Sequence, residues 1–179
     1  YTDLELPIDE PEIVNHCGSC TSCMDVCPTK AFEGPNQLDA RKCISYLTIE
    51  YKGSIKEELR PMMGNRIFGC DDCQIFCPWN KFLKITDEAD FKPRHNLDDI
   101  ELSNLFMWSE EEFLKKTQGS PIRRAGYESW LRNIAIALGN AESSVEVLRV
   151  LHSKKDDPSE IVKEHVNWAI DQHKNKEKR

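Results

Sequence analysis

Cysteine is the residue type in this sequence whose spacing carries chemistry. Four of the eight cysteines stand in the stretch HCGSCTSCMDVCPT, at Cys17, Cys20, Cys23 and Cys27, with Pro28 directly after. Three thiolates set two residues apart can bend round one face of an iron–sulfur cubane. The proline after the fourth stops a helix from continuing and turns the chain. A second, shorter run lies downstream in GCDDCQIFCPW, with Cys70, Cys73 and Cys77 followed by Pro78. It lacks its front member, and Cys43 in RKCISYL is the one cysteine left over. Eight thiols therefore divide into two sets of four.

C-x2-C-x2-C-x3-C-P is the run of bacterial two-cluster ferredoxins, in which the fourth cysteine ligates the other cluster. The expected assignment is Cys17, Cys20, Cys23 and Cys77 for cluster one, and Cys27, Cys43, Cys70 and Cys73 for cluster two, both [4Fe–4S]. Zinc also binds four thiolates, but its ribbons use two separated C-x2-C pairs rather than three thiols at consecutive spacings. A disulfide framework fits poorly. The cysteines are confined to residues 17–77 while residues 78–179 have none, and nothing marks the chain for secretion. Two linked clusters imply electron transfer to another centre.

The remainder must position those thiols. With 179 residues, 39% of them hydrophobic and 31% charged, the chain can bury a core. No apolar run approaches the ~20 residues of a membrane helix. The first fifteen residues are acidic rather than basic and then apolar, so no signal peptide is read, and a cytoplasmic protein is expected. The sequence opens YTDLELPIDEPEI without an initiator Met, as a segment of a longer protein would.

A mainly helical fold is expected: a dicluster ferredoxin-like domain over 1–84, a linker with short helical pieces over 85–108, and a HEAT-like helical domain over 109–179. The inserted residues 44–69 read as two helices. Asp39 caps one over Ala40 to Ile49, Ser54 and Glu57 box the next, Pro61 limits it, and Gly64-Asn65 turns. So structured an insertion is expected to dock onto a cofactor, a partner or a domain missing from this chain. In the tail, Ser109 and Glu112 form a capping box. Tyr127, Trp130, Leu131, Ile134 and Leu138 recur at the helical period, and Gly139-Asn140 ends that helix. Ser143 with Glu146, and then Asp157-Pro158, open two more, with Leu148 and Leu151 and with Val162, Val166, Ala169 and Ile170 facing inward.

The net charge is −7. Residues 113–135 run against it, with Lys115, Lys116, Arg123, Arg124 and Arg132 opposed by Glu128 alone. Positive patches interleaved with aromatics attract phosphate backbones, and a solvated helix face is the competing account.

At this point the chain resembles the C-terminal half of the epoxyqueuosine reductase family. The resemblance rests on HCGSCTSCMDVCPT, QLDARKCISYLTIEYKG, GNRIFGCDDCQIFCPWNKF and RRAGYESWLRNIAIALGN, in family order. It implies two [4Fe–4S] clusters that pass electrons to cobalamin, which removes the epoxide oxygen of epoxyqueuosine at the tRNA wobble position. It implies cobalamin bound in an N-terminal domain, together with an Asp acid there, so no catalytic residue is assigned in this chain and the chain alone is expected to be inactive. The expected partners are the tRNA anticodon stem-loop, that N-terminal domain and an external electron donor. Ser45 and Asp71, beside Cys43 and Cys70, are the expected cobalamin contacts. Lys52, Arg66, Lys115, Lys116, Arg123, Arg124 and Arg132 are the expected tRNA contacts. The alternatives are a dicluster module of another corrinoid-dependent reductase, such as a dehalogenase-like enzyme, and an RNA-binding helical protein with structural clusters.

Overall fold

The computed structural model describes residues 2–11, 13 and 16–176; the outer ends of the expected domains, residues 1 and 177–179, lie outside them. The organising element is α7, Tyr127–Asn140, which buries eleven of its fourteen residues. A helix apolar nearly all round must be wrapped by others. Around it lie α5 (Leu102–Phe106), α6 (Glu110–Lys116), α8 (Val145–Ser153) and α9 (Glu160–Lys176). From the other side come α2 (Ile44–Ile49) and α3 (Arg60–Met63), both inside the insertion. Ahead of them stand α1 (Ser22–Val26) and a short hairpin, β1 (Phe32–Gly34) against β2 (Gln37–Leu38); α4 (Asp72–Ile75) follows α3.

One hydrophobic core runs through these pieces. It joins Ile44, Leu47, Ile55, Leu59 and Met63 of the insertion to Phe106, Trp108, Phe113, Trp130, Ile134, Leu138, Val166 and Ile170. The insertion thus docks onto the chain's own helical tail, a surface that was not among those expected for it. α9 packs closely along α7 because Gly139 has no side chain: a Cβ there would lie 2.7 Å from Trp168 and 2.9 Å from the Ala169 Cα. Gly139 is therefore a contact residue inside the helix rather than its stop; α7 runs through Asn140 to a cap at Ala141.

Several helix starts differ from their sequence signals. The Ser109–Glu112 capping box forms with both of its hydrogen bonds. Asp39 does not cap a helix from Ala40, because its carboxylate is taken by Arg41 through the backbone N–H and a bidentate guanidinium. α2 starts only at Ile44, with Cys43 as its cap. Ser54 forms no box with Glu57, since its hydroxyl donates to Glu164 of α9 (2.8 Å). Pro61 sits in the first turn of α3 rather than ending a helix. Ser144, not Ser143, caps α8, while Ser143 meets His173 at 2.8 Å. Ser159 caps α9 through Val162, two residues after Asp157. At Ser54 and Ser143 a tertiary partner outcompeted the local bond that the pattern offered, whereas Asp39 lost its cap to a neighbour two residues on.

His165 joins the insertion to α9. The Ile55 N–H donates to its Nε2 (3.2 Å), so its proton sits on Nδ1, which donates to the Ile161 carbonyl (2.7 Å). Burial holds the imidazole down at about 4, the Arg60 and Arg132 cations adding to the effect and the Ile161 carbonyl and Glu164 opposing it. The unfolded value is about 6.5. The folded state thus binds this proton more weakly than the unfolded chain does. The neutral ring's contribution is complete above about pH 6.5 and is lost as pH falls toward 4. Between pH 7.5 and pH 5 the stability advantage of the native protein over His165→Gln is expected to shrink by about 2 kcal/mol, read by urea unfolding at each pH. An advantage that stays constant across that range removes the linkage.

Candidate metal centre

Each cysteine run is a single helical turn followed by an abrupt extension. Cys23 lies in α1 and Cys73 in α4, and these two short helices pack against each other. Cys27 caps α1 with ψ at 115°, and Cys77 leads the 3-10 turn Pro78–Phe82 with ψ at 125°. A residue before proline is driven out of the helical region into this extended one. That is why the last cysteine of each run leaves the curl of its own helix and can face the other site. Cys43 reaches the same conformation, with ψ at 121°, at the start of α2.

Cys27, Cys43 and the pair Cys70 and Cys73 come from three separate segments and line one small hollow of about 60 Å³, walled by Pro28, Ala31, Phe32, Leu38 and Ile44. These are the four thiols expected for cluster two. Burial first, and then the neighbouring Cys43 thiol among other groups, pushes Cys73 up; Cys70 is pushed up by burial, with Asp72 and Cys43 adding to it. Four thiols lining one apolar hollow are a soft donor set of the kind that iron takes as thiolates. The donor set therefore fits a thiolate-ligated cluster. Cys20, Cys23, Cys27, Cys43, Cys70, Cys73 and Cys77 are not in disulfides. Among the described residues no three His, Cys, Asp or Glu side chains converge closely enough for a single metal ion. A lone zinc with bonds of about 2.3 Å draws its sulfurs together, whereas a cubane holds its ligands apart at its corners.

The other set is more open. Cys17 and Cys20 are exposed, Cys23 and Cys77 partly buried. The His16 ring meets Trp79 edge-on at 5.2 Å, which brings the start of the first run beside the end of the second, as shared ligation by Cys17 and Cys77 requires. The Ser22 hydroxyl, 3.4 Å from the Cys20 sulfur, draws that thiol down.

The clearest misreading concerns the basic residues. The last carbonyls of a helix have no partner within it. In α2, Tyr46 receives the backbone N–H of Glu50 and of Tyr51. Leu47 receives Arg132 (2.7 Å), Thr48 receives Asn133 (2.9 Å) and Ile49 receives Lys52 (2.9 Å). So the helix that presents Cys43 is capped largely by side chains from α7. Arg132 is fully buried, and its five N–H donors go to Leu47, Tyr51, Gly53 and Asn133. Burial lowers its pKa only to about 10, so it remains a cation at neutral pH. It cannot reach a phosphate. Lys52 has all three ammonium donors on the Ile49, Arg124 and Ala125 carbonyls. Arg66 pairs with Asp72 at 2.6 Å and ties the insertion to α4.

Lys115, Arg123 and Arg124 keep exposed side chains, with Arg124 also paired to Glu50 at 2.8 Å. Lys116 is half-buried and lies over the Trp108 ring at 4.4 Å. Ser45 is half-buried on α2, and Asp71 is exposed, accepting from Gln74 at 3.0 Å. Sequence reasoning missed Asn133, whose amide also donates to Ile67 (2.9 Å), and Asn140, which holds the Arg60 and Gly64 carbonyls. The signal was present: an Arg-Asn pair inside the apolar run SWLRNIAIAL needs buried partners.

Residues 16–80 match the family described as a 4Fe-4S double cluster binding domain. Over 173 residues the chain is 61% identical to an epoxyqueuosine reductase of Pseudomonas aeruginosa, covering 97% of this chain and 48% of that protein. With the Escherichia coli epoxyqueuosine reductase it shares 55% over 170 residues, covering 95% and 44%. The chain spans about half the length of the curated relatives it matches. The structure of epoxyqueuosine reductase from Bacillus subtilis, with its catalytic loop swung out of the active site, aligns at a TM-score of 0.82 and 34% identity over 92% of this chain and 45% of that one. A crystal structure of epoxyqueuosine reductase with a tRNA-Tyr epoxyqueuosine-modified stem loop aligns at 0.82 and 35% over 92% and 44%. Among the described residues no helix is long and apolar enough to cross a membrane.

Proposed function

Because this chain belongs to the epoxyqueuosine reductase family over the half-length it spans, we propose that it is the electron-transfer and tRNA-binding half of such an enzyme. On this reading it works in the cytoplasm and passes electrons through two [4Fe–4S] clusters to cobalamin held by the other half, for reduction of epoxyqueuosine to queuosine at the tRNA wobble position. The observation that carries it is the convergence of Cys27, Cys43, Cys70 and Cys73, from three separate segments, on one apolar hollow. When bound, each cluster supplies a one-electron redox couple. The chain's own part is to hold the thiols: the prolines turn Cys27 and Cys77 outward, and α7 fixes α2 and with it Cys43. Ser45 and Asp71, which flank two cluster-two ligands, remain the proposed corrinoid contacts.

The proposed tRNA face narrows to Lys115, Arg123 and Arg124, with Lys116 beside them, on the end of α6 and the 3-10 turn Pro121–Ala125 of the HEAT-like tail. Replacing Lys115, Arg123 and Arg124 together with Ala is expected to weaken binding of an anticodon stem-loop. It should also flatten the salt dependence, each lost phosphate contact lowering the slope of log K against log salt by about 0.7–0.9. A slope equal to that of the native protein takes the RNA role away from this face and favours the reading as an electron-transfer module of another corrinoid-dependent reductase.

A further inference from the structure

The two cysteine runs share C-x2-C-x3-C-P but differ immediately afterwards: Thr29 follows Pro28, whereas Trp79 follows Pro78. Thr29 is 5% exposed, and its hydroxyl lies 3.7 Å from the Cys27 sulfur. The Ala31 N–H donates to the same sulfur at 3.3 Å. That second bond depends on a strained turn, for Lys30 stands at φ +49° without being glycine, and its ammonium is tied to the Asp25 carbonyl at 2.8 Å. Backbone held in this region clusters at functional sites. Thr29 also lines both the cluster-two hollow and a separate cavity of about 580 Å³ carrying Lys42, Tyr46 and Tyr51, so it is the wall between them.

We propose that Thr29 sets the reduction potential of cluster two by donating its hydroxyl to the Cys27 thiolate. The inference rests on the assignment of Cys27 to that cluster. A metal-bound Cys27 carries no proton, so the hydroxyl must be the donor. Reduction adds one electron from an external reductant; no bond breaks and no proton moves. The added negative charge is shared with the thiolates, so the hydrogen bond is stronger in the reduced state and raises the potential. Cluster one has Trp79 in the corresponding place and takes its hydroxyl instead from Ser22, 3.4 Å from the exposed Cys20 sulfur, so the effect of Thr29 is on the potential of cluster two alone.

The test is an EPR-monitored dithionite titration of the reconstituted chain, with iron counted in every sample. At the potential where cluster two of the native protein is half reduced, Thr29→Val should lower its reduced-to-oxidised ratio about tenfold. That is about 59 mV for a one-electron couple. Cluster one should not move, and Thr29→Ser should stay near native. An unshifted Val variant with full iron, or equal shifts in Val and Ser, overturns the proposal. A native protein holding only one cluster overturns the ligand assignment instead, which the iron count reports separately. Should Val fail to hold iron, resonance Raman of the native protein decides. Brief transfer to D2O exchanges a hydroxyl before a buried amide. A prompt shift of an Fe–S(Cys) stretch that persists in Ser22→Ala, whose Cys20 contact is removed, supports the proposal, and its absence overturns it.

Discussion

Cys43→Ser is expected to cost the protein one of its two clusters and leave the other intact. Iron should fall from about eight per chain toward about four, as two [4Fe–4S] clusters imply. The argument is geometric. Cys43 is the start of α2, with Ile44 buried directly behind it, and it faces the hollow shared with Cys27, Cys70 and Cys73. Serine keeps the local backbone and the core but replaces a soft thiolate with a poor ligand for iron. The sharper consequence concerns Cys27. It belongs to the first run in sequence, yet it lines the second hollow. Cys27→Ser and Cys43→Ser should therefore alter the same EPR signal, and the double variant should lose little more iron than either single one, because residues acting on one site are not additive. Cys77→Ser should strike the other signal. Were Cys27→Ser to damage the cluster that Cys17→Ser damages while Cys43→Ser damaged a different one, each run would be ligating its own cluster and the crossed assignment would fail.

How far the sequence could be read depended on the range of the interaction. Cysteine spacing is a local record of ligand geometry, and it grouped four thiols that line one hollow across some fifty residues. Helical periodicity in α7 was legible because the burial of Trp130, Leu131, Ile134 and Leu138 repeats with the helix itself. Capping signals were legible only where nothing distant competed. Ser109 found Glu112 in its own turn, while Ser54 found Glu164, 110 residues away. Charge was least legible. Arg123 and Arg132 look alike in a list of cations, yet one is exposed and the other fully buried. The difference follows from α7 being enclosed: a basic residue in the middle of an all-round apolar helix has no solvated face to occupy, and must satisfy its donors inside.

That placement makes Arg132 the most consequential side chain outside the cysteines. Arg132→Ala is expected to destabilise the fold by roughly 4 kcal/mol, since removing one side of a buried charged network strands its partners. The stranded groups are the buried Leu47 carbonyl, the half-buried Tyr51 and Gly53 carbonyls and the Asn133 amide oxygen. For a chain of this size the melting temperature should fall by about 10 °C. Arg132→Lys should recover only part of the loss, because an ammonium keeps the charge but cannot reproduce five donors in a planar fork. The damage should travel along α2: with its C-terminal carbonyls released, the helix that begins at Cys43 loses its anchor. Cluster two should then bleach faster in air than cluster one, in contrast to the native protein. The salt slope of stem-loop binding, measured below the melting point, should be unchanged, which separates this residue from Arg123 and Arg124. A variant that melts within about 2 °C of native, or one that binds RNA with a shallower slope, would return Arg132 to the surface role its sequence context offered.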